Sequence, residues 1–396
     1  LPAERPRIPR PIWALGVVSL LMDASSEAIH SLLPVFVVVT LGASPLALGW
    51  LEGLAEATAA LLKAFSGVLS DRLGRRKALA VAGYGLSALS KPLFALAGSL
   101  APVFVARIVD RVGKGVRGAP RDALVAELAP AAIRGACFGL RQALDTVGAF
   151  LGPLLAMALM VLLAGDIRAV FWVSALPALL AVAVLWLGVR EPDRAPPGPD
   201  GTAVAPRWAD AAALPRRYWM LVVTATLFSL ARFSEAFLLV AASENGLALR
   251  WVPIALVVMN VCYAAAAYPA GALSDRLGRR APLAAGCAVL IGADVVLALA
   301  GGVAMTLAGI GLWGIHLALT QGQLTAMVAD RSPARLHGTA FGLYHLASGL
   351  ALLGASLLAG ALWQARGPSA TFTVGALLAA LALASLAVLE RPASRA

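Results

Sequence analysis

GVLSDRLGRR at residues 67–76 recurs almost letter for letter as GALSDRLGRR at 271–280, an offset of 204. A second match stands at nearly the same offset: ALVAELAPAAIRGACFGL at 123–140 aligns with AMVADRSPARLHGTAFGL at 326–343, 203 residues on. Two independent matches at one spacing mark a duplicated chain, built as two parallel copies of one unit.

Composition says what the unit is made of. Of 396 residues, 60% are hydrophobic and 13% charged, against about 25% charged in a typical globular protein. The mean hydropathy is +0.84. A soluble fold of this length could not bury so much apolar side chain, so lipid must be part of the solvent. An ordinary cytoplasmic enzyme, a disulfide scaffold and a disordered chain are excluded together.

A hydrocarbon core about 30 Å thick needs about 20 apolar residues per helix. About twelve such runs are present, near 12–40, 48–70, 78–97, 101–123, 136–163, 168–189, 218–241, 252–274, 282–301, 303–326, 339–364 and 370–389. The stretch 190–217, with EPDRAPPGPDG inside it, reads as a linker. The expected organisation is a six-helix bundle over 1–189, the linker, and a second six-helix bundle over 218–396. Basic residues crowd into alternate loops, while the turns at 41–47 and 98–99 carry almost none. The positive-inside rule then puts both termini and the linker in the cytoplasm. The first span has no small-residue cleavage site and is expected to be retained. The net charge of +11 is read as topology charge rather than a nucleic-acid surface. Cys137, Cys262 and Cys287 are far apart in apolar runs and show neither Cys-x-x-Cys nor zinc spacing.

The loop Gly67-x-x-x-Asp71-Arg72-x-Gly74-Arg75-Arg76, repeated with Asp275 and Arg276 in the second copy, resembles the signature loop of the major facilitator superfamily. With the twelve-span pattern the resemblance covers essentially the whole chain. It implies an all-α polytopic membrane protein of two pseudo-symmetric six-helix bundles, substrate held between them near the midplane, and transport by alternating access. It also implies that Asp71 and its neighbours latch the cytoplasmic side and set the rate of switching. Gly148-x-x-x-Gly152-Pro153 in span five resembles the motif associated with antiporters of the superfamily; small residues allow close packing and proline bends the helix. Span four of drug-exporting members carries Arg-x-x-Gln-Gly-x-Gly. Here Arg107 matches, but Asp110 stands in place of Gln and the glycines are displaced, which points away from a hydrophobic-drug exporter and towards a polar or charged substrate. Arg117-Gly-Ala-Pro120-Arg121-Asp122 is expected to end span four at the cytoplasmic edge.

Charges inside the spans carry the functional reading. A charge at a helix centre costs about 2.5–3.5 kcal/mol on insertion scales. The first half places Asp23, Glu27, Glu52, Glu56, Asp110 and Asp145 within spans, with Lys63, Lys91, Arg107, Arg111, Lys114 and Arg141. They must face one another or water. At about 100° per residue, Arg107, Arg111 and Lys114 share a wedge of about 60°, with Asp110 alongside. Asp23, Glu27 and His30 share another face, and Arg141 with Asp145 form an i, i+4 pair. Lys63 and Lys91 are the members that could simply snorkel or pair.

The repeat separates function from scaffold. At an offset of 203, Arg107, Asp110, Arg111 and Lys114 become Ile310, Trp313, Gly314 and Leu317, while Arg141 and Asp145 become Tyr344 and Ser348. The second copy builds the same unit without these charges, so the architecture does not require them. One carboxylate is kept: Ser26-Glu27-Ala28 aligns with Ser234-Glu235-Ala236, and Arg232 stands three residues before Glu235.

These residues assign roles. Glu27 is the first choice for a proton carrier, followed by Asp145 or Asp110, with Asp23 and Glu235 as further candidates. Arg107, Arg111, Lys114, Arg141 and Arg232 are the expected substrate contacts. His316 is either another such contact or a hydrogen-bonded core histidine. No Walker lysine loop, His-Glu-x-x-His or Gly-x-Ser-x-Gly occurs, so no cofactor, metal or enzymatic activity is implied. The expected protein is a monomeric inner-membrane carrier exporting a small polar or anionic organic solute against protons. Proton symport of an anionic nutrient or metal chelate is the alternative. A membrane sensor or lipid-modifying enzyme on this fold is a third, more distant reading.

Overall fold

The structure, a computed structural model, describes residues 8–73, 75–130, 133–190, 208–321, 323–333 and 336–388. Most of the expected linker lies outside them. Fourteen main helices are numbered α1 to α14. In the first half these are α1 (Arg10–His30), α2 (Pro45–Leu73), α3 (Arg76–Leu96), α4 (Leu100–Leu128), α5 (Arg134–Leu162) and α6 (Ile167–Gly188). In the second half they are α7 (Arg216–Ala231), α8 (Ala236–Glu244), α9 (Ile254–Leu277), α10 (Arg280–Ala298), α11 (Val303–Thr320), α12 (Gln323–Arg331), α13 (His337–Arg366) and α14 (Pro368–Val388).

Local chemistry sets several helix ends. Asp166 caps α6, its side chain accepting from the backbone N–H of Arg168 at 2.9 Å and of Ala169 at 3.2 Å. The glycine of the second signature loop, Gly278, ends α9 at φ +77, a conformation side chains rarely adopt. Leu176, Leu179, Leu180 and Leu187 of α6 are exposed. In a chain of this hydropathy that is the face lipid covers.

The described residues form twelve helical spans, of which ten are long and apolar enough to cross a membrane. The other two, α2 and α4, are diluted by their own charges. Four spans differ from the continuous runs expected, span one by a turn at 31–32 and a π-helical end over Phe36–Thr40. Span seven is broken at 232–235, between α7 and α8. Span ten stops at Thr320, where Gln321 turns extended, and resumes as α12. Span four does not end at Arg117–Asp122: α4 runs through Pro120 to Leu128. A proline removes one backbone donor, and in a membrane helix neighbouring helices and side chains absorb that loss.

By contact, the chain forms two compact units: Leu1–Leu33 with Thr58–Ala205, and Pro34–Ala57 with Pro206–Ala396. Within the first, α1 packs on α5 and α6, and α3 on α4 and α6. Within the second, α7 packs on α13 and α14, and α10 on α11 and α14. These are the same pairings in span order, so the duplication read from sequence is a duplication of packing. Glycines place the crossings. A Cβ at Gly83 would lie 2.8 Å from the Gly113 carbonyl oxygen, and one at Gly286, 203 residues on, would meet Thr320 and the His316 carbonyl oxygen. Backbones at these crossings approach as only small residues allow.

Candidate functional site

The stripe on α4 arises from residues three or four apart: Arg107, Asp110, Arg111, Lys114, Arg117 and Arg121. On α1 the matching stripe is Ser19, Asp23, Ser26, Glu27 and His30. The two helices bring them together in the first unit, with Lys91 from α3 and Arg141 and Asp145 from α5.

Asp110 is the hub of the first group. Lys91 Nζ donates to its Oδ1 at 2.8 Å and to Ser26 Oγ at 3.0 Å. The other oxygen lies 3.8 Å from His30 Nε2 and 4.0 Å from Arg111 Nε. Arg111 donates to His30 Nε2 at 2.7 Å, and Arg107 meets the same nitrogen. With Nε2 accepting, the ring proton belongs on Nδ1, 3.6 Å from Glu27 Oε1. Lys91 is 0% exposed, Arg107 3%, and Asp110 and Arg111 2% each, whereas the Glu27 side chain is 28% exposed. The group thus holds three fixed cations around one buried carboxylate, with Glu27 as its accessible edge. Lys114 is exposed one turn further along α4.

A second group sits about three turns further along α4, towards its C-terminal end. Arg121 lies 3.1 Å from Asp122 and 3.6 Å from Asp145, and Arg141 lies 3.5 Å from Asp145 and 3.8 Å from Asp122. Gln142 accepts from Arg141 at 2.7 Å, and Asp23 of α1 lies beside Asp145. Between the groups, Arg117 donates to Ser87 Oγ at 2.6 Å and stacks 4.7 Å over Tyr84. Here charges alternate in sign and neutralise one another, unlike the first group.

Gly148 and Gly152 are buried where α5 crosses α1. A Cβ at Gly148 would strike the Leu20 carbonyl, and one at Gly152 would come within 2.5 Å of the Glu27 Cβ. Pro153 lies in the same helix beside them. The antiporter-like motif therefore seats the helix that carries Glu27.

The signature loops end against the neighbouring helices. Arg76 pairs with Glu127 at 2.5 Å and also reaches the Ala123 carbonyl at 3.5 Å; Arg279 pairs with Asp330 at 3.3 Å. Glu127 and Asp330 are counterparts 203 residues apart, and each receives an arginine from its own loop. Gly67, Asp71 and Arg72 lie in α2 and Asp275 in α9, with side chains outside the description; Gly74 lies outside the described residues altogether. Arg75 and Arg276 are exposed.

In the second unit Arg232 and Glu235 sit at the break between α7 and α8, with Arg232 5.7 Å from the Phe228 ring. His316 is fully buried and its Nδ1 bonds the Gly286 carbonyl at 2.8 Å. Sequence reasoning passed over Asp294, fully buried in α10, which accepts from Trp313 Nε1 at 3.0 Å. A lone acid in an apolar run was its signal. Lys63, one of the two lysines that could snorkel, is exposed, whereas Lys91 is wholly buried and paired.

The family model of the Major Facilitator Superfamily matches residues 15–259 and 236–396. An uncharacterised MFS-type transporter of Methanocaldococcus jannaschii is 32% identical over 375 residues, 93% of this chain and 92% of that one. A multidrug resistance protein of Photorhabdus laumondii is 30% identical over 42% of this chain and 40% of its own length. Among solved structures, the nucleoside transporter NupG superposes with a TM-score of 0.79 at 12% identity, over 97% of this chain and all of that one. A bacterial homologue of the lysosomal transporter Spinster gives 0.79 at 16%, over 96% of each. The chain belongs to the major facilitator superfamily: it is a multi-pass membrane transporter of small molecules and not an enzyme.

Proposed function

We propose that this transporter couples proton movement to export of a small anionic organic solute, with the first-unit cation group as the substrate site. The observation that carries the reading is charge. Lys91, Arg107 and Arg111 are buried together with Asp110, and the partly exposed Glu27 stands at their edge. Several cations buried on neighbouring helix faces make a setting in which a bound anion is strongly stabilised. Arg107 and Arg111 converge on one imidazole, a geometry suited to holding a carboxylate or phosphate between two guanidinium groups.

Glu27 is the proton carrier in this reading. It faces the imidazole that both arginines touch, so a deprotonated Glu27 and an anion on the arginines compete for one local field, which links the charge on Glu27 to solute binding. Asp110, held by Lys91, positions the cations rather than exchanging protons. Asp23 and Asp145 are secondary proton positions, with Arg141 holding Asp145. Lys114 extends the positive surface from the exposed side of α4. Arg232, Glu235 and His316 are the second unit's contributions, at the broken span seven and its neighbour. Asp71 and its loop gate the cytoplasmic side, together with Gly148, Gly152 and Pro153 through the seat of α1. We take the functional division as bundles 1–189 and 218–396 joined by 190–217, in a monomer of the inner membrane with both termini cytoplasmic.

Direction rests on the span-five motif, and the Photorhabdus relative named for multidrug resistance supports it over part of the chain. A proton symporter for arabinose from Bacillus subtilis, 39% identical over 21% of this chain, favours the alternative of uptake. A panel of organic anions and neutral analogues in proteoliposomes, under an imposed pH gradient of either sign, decides between them. Export by antiport predicts solute movement opposite to protons. Movement with protons makes the protein a symporter.

A further inference from the structure

The contact between Lys91 and Asp110 has a counterpart in the second copy. Adding 203 to each number gives Asp294 and Trp313, and these two also touch: Trp313 Nε1 donates to Asp294 Oδ1 at 3.0 Å. The helix pairs correspond, α3 with α4 and α10 with α11. At this shared position the first copy buries a carboxylate against a cation. The second buries a carboxylate against a neutral ring.

Asp294 is 0% exposed. Its Oδ2 has no hydrogen-bond partner among the described residues, and a Cβ on Gly375 of α14 would lie 2.6 Å from that oxygen. Around it α11 presents Trp313 and the fully buried His316, whose Nδ1 is committed to the Gly286 carbonyl. The break between α7 and α8 contributes Phe233, against Trp313 at 5.6 Å and Phe372 at 5.7 Å between ring centroids, with Arg232 and Glu235 near it in sequence. No ion pair reaches Asp294 among the described residues. An ionised carboxylate without a counter-ion, in a dry apolar setting, is disfavoured far more than a neutral carboxyl.

We propose that Asp294 is a proton-binding site of the second unit, carrying its proton as packed here and releasing it only when water reaches Oδ2. Loss of the proton breaks the O–H bond at Asp294, delivers H⁺ to that water and leaves a carboxylate that must gather donors. Trp313 is the donor already in place, and its ring packs tilted against Phe233 at the break in span seven. Protonation of Asp294 is thereby tied to the packing of that break. This site is separate from Glu27 and does not depend on which solute is carried.

The test is infrared difference spectroscopy of the purified protein in lipid between neutral and alkaline pH, read at the C=O stretch of protonated carboxyl groups. The wild type shows a band that Asp294→Asn removes and Glu27→Gln leaves in place. Trp313→Phe, which keeps the carboxyl but removes its donor, shifts the same band and covers the case in which Asp294→Asn fails to fold. Alongside, backbone protection at 232–237, taken relative to the intrinsic base-catalysed exchange rate at each pH, falls with pH in the wild type and stays constant in Asp294→Asn. A carboxyl band unchanged in both Asp294→Asn and Trp313→Phe overturns the proposal, as does a pH-dependent loss of protection at 232–237 that persists in Asp294→Asn.

Discussion

Lys91 and Arg111 both touch Asp110, yet their removal has different consequences. Lys91 is wholly buried with its ammonium on Asp110 and Ser26. Lys91→Ala strands the carboxylate, and breaking a buried pair in this way costs about 3–5 kcal/mol. A thermal unfolding series shows that loss, and the double variant Lys91→Met with Asp110→Asn recovers most of it while transport stays lost. Arg111→Ala removes a charge-assisted contact worth about 1.5–3 kcal/mol, which is a loss of roughly ten- to a hundredfold in solute affinity. Binding measured by calorimetry falls by that factor with much less effect on unfolding. Equal losses in both measurements make Arg111 a scaffold residue. Glu27→Gln keeps insertion and solute binding but abolishes pH-driven flux; normal flux in that variant removes Glu27 from the coupling. At this scale the sequence was legible for residues sharing a helix. The spacing of Arg107, Asp110 and Arg111 announced one face, whereas the partner of Lys91 lies on another helix and no spacing reveals it. Asp294 escaped for the same reason, its donor being an indole 19 residues away on the next span.

Among the elements, the crossing of α1 and α5 is set by Gly148 and Gly152. An added methyl at Gly152 meets the Glu27 Cβ and the Ala24 carbonyl, so Gly152→Ala displaces the turn that carries Glu27. The expected outcome is a large fall in flux with the protein still inserted. Gly85→Ala is the control, since nothing lies within 4 Å of its Cβ position; it leaves flux unchanged and, in a helix interior, adds up to about 1 kcal/mol of stability. If Gly152→Ala transports normally, the seat of α1 is not part of the mechanism. The loop latches invite a comparison too. Arg76 and Glu127 are 15% and 24% exposed, Arg279 and Asp330 39% and 56%. Exposed pairs contribute about 0–1 kcal/mol, so Glu127→Gln lowers the unfolding temperature more than Asp330→Asn. Element boundaries were legible wherever apolar runs met glycine or charge. They were misread at Pro120, because a proline that would stop a helix in water is carried through one packed among neighbours, as the course of α4 to Leu128 shows.

For the whole molecule, the offset of 203–204 residues did most of the work. It yielded the duplication before any helix was placed, and the packing of α1, α3 and their counterparts α7 and α10 repeats it. What duplication could not show is how the copies have diverged. In the first, four positions on α4 are charged; in the second, the same positions on α11 are Ile310, Trp313, Gly314 and Leu317. The two copies thus share a packing frame but differ in chemistry, with the proposed anion site in one unit and a buried carboxyl in the other.

The most direct test of that assignment is flux of an organic anion and its neutral ester into or out of proteoliposomes under a pH gradient, for the wild type and for Arg107→Gln with Arg111→Gln. Gradient-driven movement of the anion alone by the wild type, and its loss in the double variant, is the predicted result. Equal movement of anion and ester, unchanged by the double variant, would contradict it.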